Sequence, residues 1–158
     1  MCLRWAVLGG LTAGLLLLPA ATSTADIAHE KFARIQQASP EAAQWPVGDY
    51  SGFRVLLALL PAERGPVPAG FCAWRQSTPE EAELLNLAVE PGSRRRGVAS
   101  SLLDALAREA GGDLFLEVAA TNRPAISLYE HHGWVKNGVR KGYYGHGNGN
   151  AIVMQKRP

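Results

Sequence analysis

The sequence has few cysteines, no excess of one charge and no long apolar segment. Its 158 residues include two cysteines, Cys2 and Cys72, too few and too far apart for a disulfide framework or a zinc site. Its 16 basic and 14 acidic side chains leave a net charge of +2, so no global field favours nucleic acid or an anionic membrane as a partner. We expect one domain with a good core and two reduced thiols, with Cys72 packed in a strand.

Metal-binding spacings are also missing. None of the histidines stands at the intervals that metal ligands require. His131 and His132 end a predicted helix, where positive charge is favourable. We therefore predict no metal site.

The first 25 residues allow two interpretations. Arg4, the apolar residues 5–18 and the small residues Ser23-Thr24-Ala25 are typical of a secretory signal peptide. The apolar run is shorter than the ~20 residues that a membrane-spanning helix needs. Export thus remains an alternative to a domain that begins near the N-terminus, and no membrane anchor is expected.

The central part of the chain predicts an anion site. Leu84 to Val89 form a short apolar strand that Pro91-Gly92 ends, and an amphipathic helix begins at Val98. Between them lies a loop that contains three arginines and Gly97. The start of a helix leaves amides unpaired and carries partial positive charge, so phosphates bind there. The alternative is a solvated basic helix cap without a ligand.

This strand, loop and helix resemble the acyl-CoA pyrophosphate loop of the GNAT acetyltransferases, whose spacing is Arg/Gln-x-x-Gly-x-Gly/Ala. Other segments stand in the family's order and look like its RimI type, the N-terminal acetyltransferases of ribosomal proteins. These segments are 83–91, 116–118, Thr121-Asn122, 125–130 and Gly133-Trp134. The resemblance is specific from about Phe53 to Met154.

The resemblance implies an α/β (α+β) GNAT fold: a mixed, mostly antiparallel central sheet with splayed fourth and fifth strands, flanked by about four helices. Patterning places strands at 53–60, 70–76, 84–89, 113–119, 134–144 and 151–156, and helices at 25–38, after Pro40, at 98–110 and at 125–132. The family's first strand falls at Leu15 to Leu18. Residues 1–14 are then an atypical extension or follow a misplaced start codon, and 15–158 form the domain.

The resemblance also implies a site for acetyl-CoA, and hence a cytoplasmic location. Backbone groups of Leu87, Ala88 and Val89 would pair with the pantetheine arm. The pyrophosphate would lie on the loop and helix start, at Arg94, Arg95, Arg96, Gly97, Val98, Ala99 and Ser100. Ala99 replaces the more usual glycine, a change that can lower affinity without losing the site. Asn122 caps the next helix and matches a CoA contact of the family.

Amine attack on a thioester needs a neutral nucleophile, a polarised carbonyl and a proton for the departing thiolate. Glu117 and Tyr129 match the family's base and acid. Glu117 lies in an apolar run, which would strip water from its carboxylate as a base working near neutral pH requires. The alternatives are a solvent-facing strand glutamate and a core tyrosine.

The ease with which an amine loses its proton favours one class of acceptor. A peptide α-amine is about 10–20% neutral at pH 7, whereas a lysine is well below about 0.1% neutral. We therefore favour the N-terminal amine of a protein, as in the family. Candidate groove residues are Trp45, Tyr50, Tyr143 and Tyr144. Segment 145–150 lacks the acidic residues common there, which leaves peptide selection open.

Two rival functions remain open. The first is acetylation of a small-molecule amine or a lysine. The second is a non-enzymatic role for an exported or degenerate domain that binds CoA poorly or serves as an interaction surface. The oligomeric state is not indicated by the sequence.

Overall fold

The computed structural model describes residues 3–7, 33–44, 46, 52–63, 65–143 and 149–158. The described residues form one seven-stranded sheet with two α-helices, a short helical segment at 33–37 and a 3-10 turn at Pro91–Ser93. The strands are β1 (Leu3–Val7), β2 (Arg54–Leu60), β3 (Val67–Thr78), β4 (Glu81–Val89), β5 (Asp113–Ala119), β6 (Val135–Arg140) and β7 (Ala151–Lys156); the helices are α1 (Val98–Ala110) and α2 (Arg123–His131).

The strand order in the sheet is β1-β2-β3-β4-β5-β7-β6. Four of its pairings are antiparallel, and two, β1 with β2 and β4 with β5, are parallel. The β4–β5 register ends at Leu84 opposite Leu116, although both strands continue to Val89 and Ala119. The predicted splay between these two strands, and with it the fold class, is confirmed.

Both faces of the sheet are covered by apolar residues. In β2, Leu56, Ala58 and Leu60 join the larger core cluster, and the alternate residues Val55, Leu57 and Leu59 join the smaller one. A strand that is buried on both faces reads as a continuous apolar run because successive side chains point to opposite sides. Helix α1 covers the larger cluster with Leu102, Leu103 and Leu106, and full burial stabilises each such side chain by about 1.5–3 kcal/mol.

The two helices end where their sequences indicate. Gly111 follows α1 with φ of 69°, a left-handed conformation that glycine adopts without a steric penalty. At the start of α2, the Ala125 amide donates to the side chain of Asn122 over 3.2 Å, so the predicted cap is confirmed. Pro124 stands in the first turn, where its missing N–H costs nothing.

Strand β6 contains an irregularity that determines which face of the sheet the side chains of its second half occupy. Lys136 is opposite Met154, but Gly138 is opposite Val153, so Asn137 is an extra residue in the β6–β7 ladder. A bulge of one residue reverses which face of the sheet the following side chains occupy. As a result, Gly138 and Arg140 share a face with Val153 and, across β7, with Glu117.

The N-terminus differs from the prediction. The first strand was expected at Leu15 to Leu18, with 1–14 as an extension outside the domain. Instead, Leu3–Val7 pairs in parallel with β2, from Leu3 opposite Val55 to Val7 opposite Leu59. Part of the supposed extension therefore belongs to the sheet, because an apolar segment can extend an edge whose backbone groups are unpaired. Leu15 to Leu18 lie outside the described residues.

Most of the remaining boundaries agree with the patterning, but residues 40–44 contain no helix where a short one was predicted after Pro40, and β6 ends at Arg140 rather than at 144. Strands β5 and β7 have the predicted bounds. Strand β3 is longer than predicted at both ends, and β4 is longer at its start. The helical residues 33–37 fall within the helix predicted at 25–38, whose beginning lies outside the described residues. None of the described helices has the length and apolar content that crossing a membrane requires.

Cys72 lies in β3 as a free, fully buried thiol. Burial raises its pKa to about 12, so the thiol stays neutral in the folded protein over the usual pH range. This environment agrees with a packing role and excludes a reactive thiolate at this position.

The turn into β5 gives a test of the register between β4 and β5. The Asp113 amide donates to the Glu80 carbonyl over 2.8 Å, and a Cβ on Gly112 would overlap that carbonyl group. We expect Gly112→Ala to lower the free energy of unfolding by about 1–3 kcal/mol, since the backbone must shift. Gly138→Ala is the control because no atom lies within 4 Å of its added Cβ. Equal unfolding midpoints for the two variants in urea would contradict this packing.

Candidate functional site

A cavity of about 1110 Å³ opens where β4 and β5 separate. Its walls come from the splayed halves of both strands, the loop after β4, the first turn of α1, helix α2 and segment 40–43. Beyond Leu84 and Leu116 the two strands have no mutual register. Backbone groups on the facing edges therefore need another partner, which an extended ligand can supply.

The arginine loop leads directly into the start of α1. Gly97 is the N-terminal cap with φ of 77°, and no side chain caps the helix. Its first turn, Val98 to Ser100, lines the cavity and contains no acidic residue. An uncapped helix start with its amides facing a cavity favours an anion.

Arg95 has φ of 60°, an uncommon conformation for a residue with a side chain. Among the described residues it is the only one other than glycine with positive φ. Strain of this kind persists where the surrounding structure imposes it, often at functional sites. Here it directs the loop so that Arg95 lines the cavity.

The three loop arginines have different surroundings. Arg95 lines the cavity, whereas Arg96 is exposed and is absent from the lining. Arg94 donates to the Glu41 carboxylate over 2.5 Å, to Ser39 Oγ over 3.3 Å and to the Val89 carbonyl over 3.3 Å. Nε and Nη2 of Arg94 are therefore held by protein acceptors.

Segment 39–44 forms one wall because side chains of β4 and the loop hold it in place. Asn86 Nδ2 donates to the Ala43 carbonyl over 2.9 Å, and Ser39 Oγ donates to the Val89 carbonyl over 3.1 Å. With Arg94, the Val89 carbonyl accepts two side-chain donors, which uses both of its lone pairs. Of the three predicted pantetheine partners, Val89 therefore has a carbonyl oxygen that already accepts two hydrogen bonds and is not available to the ligand.

Glu117 lines the cavity and is paired with a cation. Its Oε1 lies 2.8 Å from Arg140 Nη1, and the two side chains are 17% and 60% exposed, respectively. The Arg140 guanidinium also lies over the Tyr143 ring, 5.5 Å from its centroid. The half-buried carboxylate expected from the apolar run is present. Its charge, which burial alone would leave without a partner, is paired with Arg140.

Tyr129 lies on the cavity-facing side of α2 and is buried, with 8% exposure. Its ring packs against Trp134, with 5.8 Å between centroids. This contact fixes the ring between core and cavity. The core and catalytic interpretations of Tyr129 are therefore compatible.

Most of the predicted site residues meet at this cavity. The following line it: Leu87, Ala88, Val89, Arg94, Arg95, Gly97, Val98, Ala99, Ser100, Glu117, Asn122, Tyr129 and Tyr143. Arg96 does not. Trp45, Tyr50 and Tyr144 lie outside the described residues, so their proposed place in an acceptor groove stays a prediction.

Three contributors were not anticipated from the sequence. Arg140 was not expected because its approach to Glu117 depends on the β6 bulge. The pair of Glu41 and Ser39 was missed because it acts across about 50 residues of chain. His132 was interpreted as a helix-end cation, but its Nε2 lies 2.9 Å from Ser100 Oγ. In the described segments, no three or more His, Cys, Asp or Glu side chains are placed to hold a metal ion.

Comparison with known proteins agrees with this architecture. The model of the acetyltransferase (GNAT) family matches residues 23–134. The [ribosomal protein bS18]-alanine N-acetyltransferase of Escherichia coli K12 is 40% identical over 81 residues, which are 48% of this chain and 55% of that protein. An N-alpha-acetyltransferase of Saccharolobus solfataricus is 37% identical over 81 residues, 48% of each chain. The chain thus spans about half the length of the curated relatives it matches.

A solved structure extends the likeness over more of the chain. The crystal structure of the ribosomal-protein-S18-alanine N-acetyltransferase from Escherichia coli superposes with a TM-score of 0.69 at 27% identity. The match covers 83% of this chain and 88% of that one.

The different surroundings of the arginines can be tested by ligand binding. We expect Arg95→Ala to raise the Kd for coenzyme A about tenfold, because it removes a charge-assisted bond at the cavity wall. Arg96→Ala is the matched control, and we expect its Kd to stay within about twofold of wild type. Isothermal titration calorimetry would measure both. A larger effect at Arg96 than at Arg95 would refute this assignment.

Proposed function

Because the chain belongs to the acetyltransferase (GNAT) family, we propose that it transfers the acetyl group of acetyl-CoA to the N-terminal amine of a protein, with a ribosomal protein as the first candidate. Membership confirms the family and the acyltransferase class predicted from the sequence. The N-terminal acceptor is supported by the activities of two relatives, a [ribosomal protein bS18]-alanine N-acetyltransferase and an N-alpha-acetyltransferase.

One observation carries the proposal. Glu117, Tyr129, the unpaired edge of β4 and the uncapped start of α1 all line the same cavity. An extended thioester ligand with a pyrophosphate needs a strand edge for its amides and a helix start for its charge. The described residues fit both requirements.

The residues that would hold acetyl-CoA follow from this geometry. Leu87 offers backbone groups on the free edge of β4, whereas Ala88 forms a hydrogen-bonded pair with Phe71 of β3. Gly97 lets the chain approach the pyrophosphate closely. Arg95 adds positive charge at the same end of the cavity. When bound, acetyl-CoA supplies the activated acyl group for the transfer.

Glu117 is proposed to take a proton from the acceptor ammonium, directly or through water. A peptide α-amine, with its pKa of about 7.7–8.0, already has a neutral fraction of ~10–20% at pH 7, so a modest base suffices. Arg140 holds the Glu117 carboxylate in place at the cavity wall. Tyr129 is proposed to give a proton to the departing thiolate. The proposal includes a cytoplasmic location, where acetyl-CoA is available.

The decisive experiment follows acetyl transfer from labelled acetyl-CoA to peptides with free N-termini and to N-terminally blocked, lysine-containing versions. We expect label on free N-termini, a loss of kcat of about 100-fold or more in Glu117→Gln, and a loss of about 10–100-fold in Tyr129→Phe. Coenzyme A binding and thermal unfolding should change little, because Arg140 is largely exposed and loses its partner at small cost.

Glu130→Gln is the control, since its carboxylate pairs with the exposed Lys136 at the surface, over 3.2 Å. Label on blocked lysine peptides, or on no peptide despite coenzyme A binding, would favour lysine or a small-molecule amine as acceptor. Absence of coenzyme A binding would favour the non-enzymatic function.

A further inference from the structure

His132 connects the end of α2 to the first turn of α1. Its Nε2 lies 2.9 Å from Ser100 Oγ, and its Nδ1 lies 3.6 Å from Asp104 Oδ1. The imidazole is 13% exposed, whereas Asp104 is 54% exposed. Ser100 lines the cavity at the proposed pyrophosphate end. A titratable ring is thus in contact with a hydroxyl that faces the ligand.

Serine, histidine and aspartate also form nucleophilic triads, but this arrangement does not fit one. In a triad the aspartate is buried and hydrogen-bonded to the histidine. Here the separation of 3.6 Å is beyond a normal hydrogen bond, and Asp104 is more than half exposed. The cluster is suited to position a hydroxyl rather than to activate it.

The hydroxyl of Ser100 has one hydrogen, so its use depends on the protons of His132. The Asp104 carboxylate faces Nδ1 and favours a hydrogen there, so in the neutral ring Nε2 is unprotonated. Nε2 then accepts the Ser100 hydrogen, and that hydrogen is withdrawn from the cavity. When both ring nitrogens are protonated, Nε2 donates to Oγ while Nδ1 faces Asp104, and the hydroxyl hydrogen is free for an anion. An anion at Ser100 therefore favours the imidazolium form.

We propose that His132 is a positioning residue for the coenzyme: occupation of the anion site by the pyrophosphate makes His132 take up a proton from solvent, which turns the Ser100 hydroxyl toward the ligand. This inference rests on the proposed use of acetyl-CoA. The charged and titratable groups that face the ring are Asp104 from α1 and His131 from its own helix, whose ring centroid is 5.8 Å away. Histidine is suited to this role because its charge changes near neutral pH.

Proton uptake can be measured without turnover. Coenzyme A is titrated into the protein by calorimetry at about pH 7.5, in HEPES and in Tris, whose ionisation enthalpies differ and neither of which supplies phosphate to the site. We expect wild type to take up a larger fraction of a proton than His132→Gln, in which a side-chain amide still donates to Ser100 but cannot titrate. The Kd of His132→Gln should stay within about threefold of wild type.

His131→Gln is the comparison variant, because it removes the neighbouring imidazole, which lines the cavity but is not the ring bonded to Ser100. It should retain the wild-type proton uptake. Equal uptake in wild type and His132→Gln would overturn the proposal, as would loss of uptake in His131→Gln instead.

A double-mutant cycle tests the coupling to Ser100. We expect Ser100→Ala and His132→Ala each to raise the Kd for coenzyme A about three- to tenfold. The Kd of the double variant should not exceed the larger of the two single-variant values. Additive losses would show that the two side chains act separately and would overturn the proposal. If His132→Ala does not fold, His132→Gln alone decides through proton uptake. Coenzyme A binding without uptake refutes only this inference, whereas no binding by wild type refutes the proposed function as well.

Discussion

The early end of hydrogen bonding between β4 and β5 is the constraint on which the rest of the structure depends. Two parallel strands that separate inside a sheet leave rows of backbone groups without partners, and such groups are costly when buried. Ser39 and Arg94 satisfy part of this requirement, since both donate to the Val89 carbonyl. The rest of the exposed edge borders the cavity. The site is therefore a consequence of incomplete pairing in the sheet.

Charge in the cavity is arranged around this opening. Within the described part of the chain, all three carboxylates of the lining are paired with arginines: Glu41 with Arg94, Glu83 with Arg75 and Glu117 with Arg140. Among the described residues no carboxylate is paired with Arg95, and the first turn of α1 contains no acidic residue. The cavity therefore has a local positive potential in a chain whose net charge is only +2, which favours a polyanionic ligand.

Local signals were sufficient to predict most of the fold. Apolar alternation gave β4 and β5, and glycines and Asn122 marked the helix ends, because these features depend on neighbouring residues. Features that depend on distant pairing were not predictable. Strand β1 at Leu3–Val7 was not predicted, because several apolar stretches near the N-terminus could extend the sheet equally well. Arg140 and His132 were missed because their partners Glu117 and Ser100 lie 23 and 32 residues away.

The bulge at Asn137 gives the length of β6 a significance beyond its own strand. Without that extra residue, the alternation of the ladder would place Val139, not Arg140, on the face that Glu117 occupies. A one-residue insertion or deletion in β6 before Gly138 would thus place an isopropyl group, instead of a cation, beside a half-buried carboxylate. The number of residues in β6, rather than their identity, therefore determines whether an apolar or a charged side chain lies next to the proposed base.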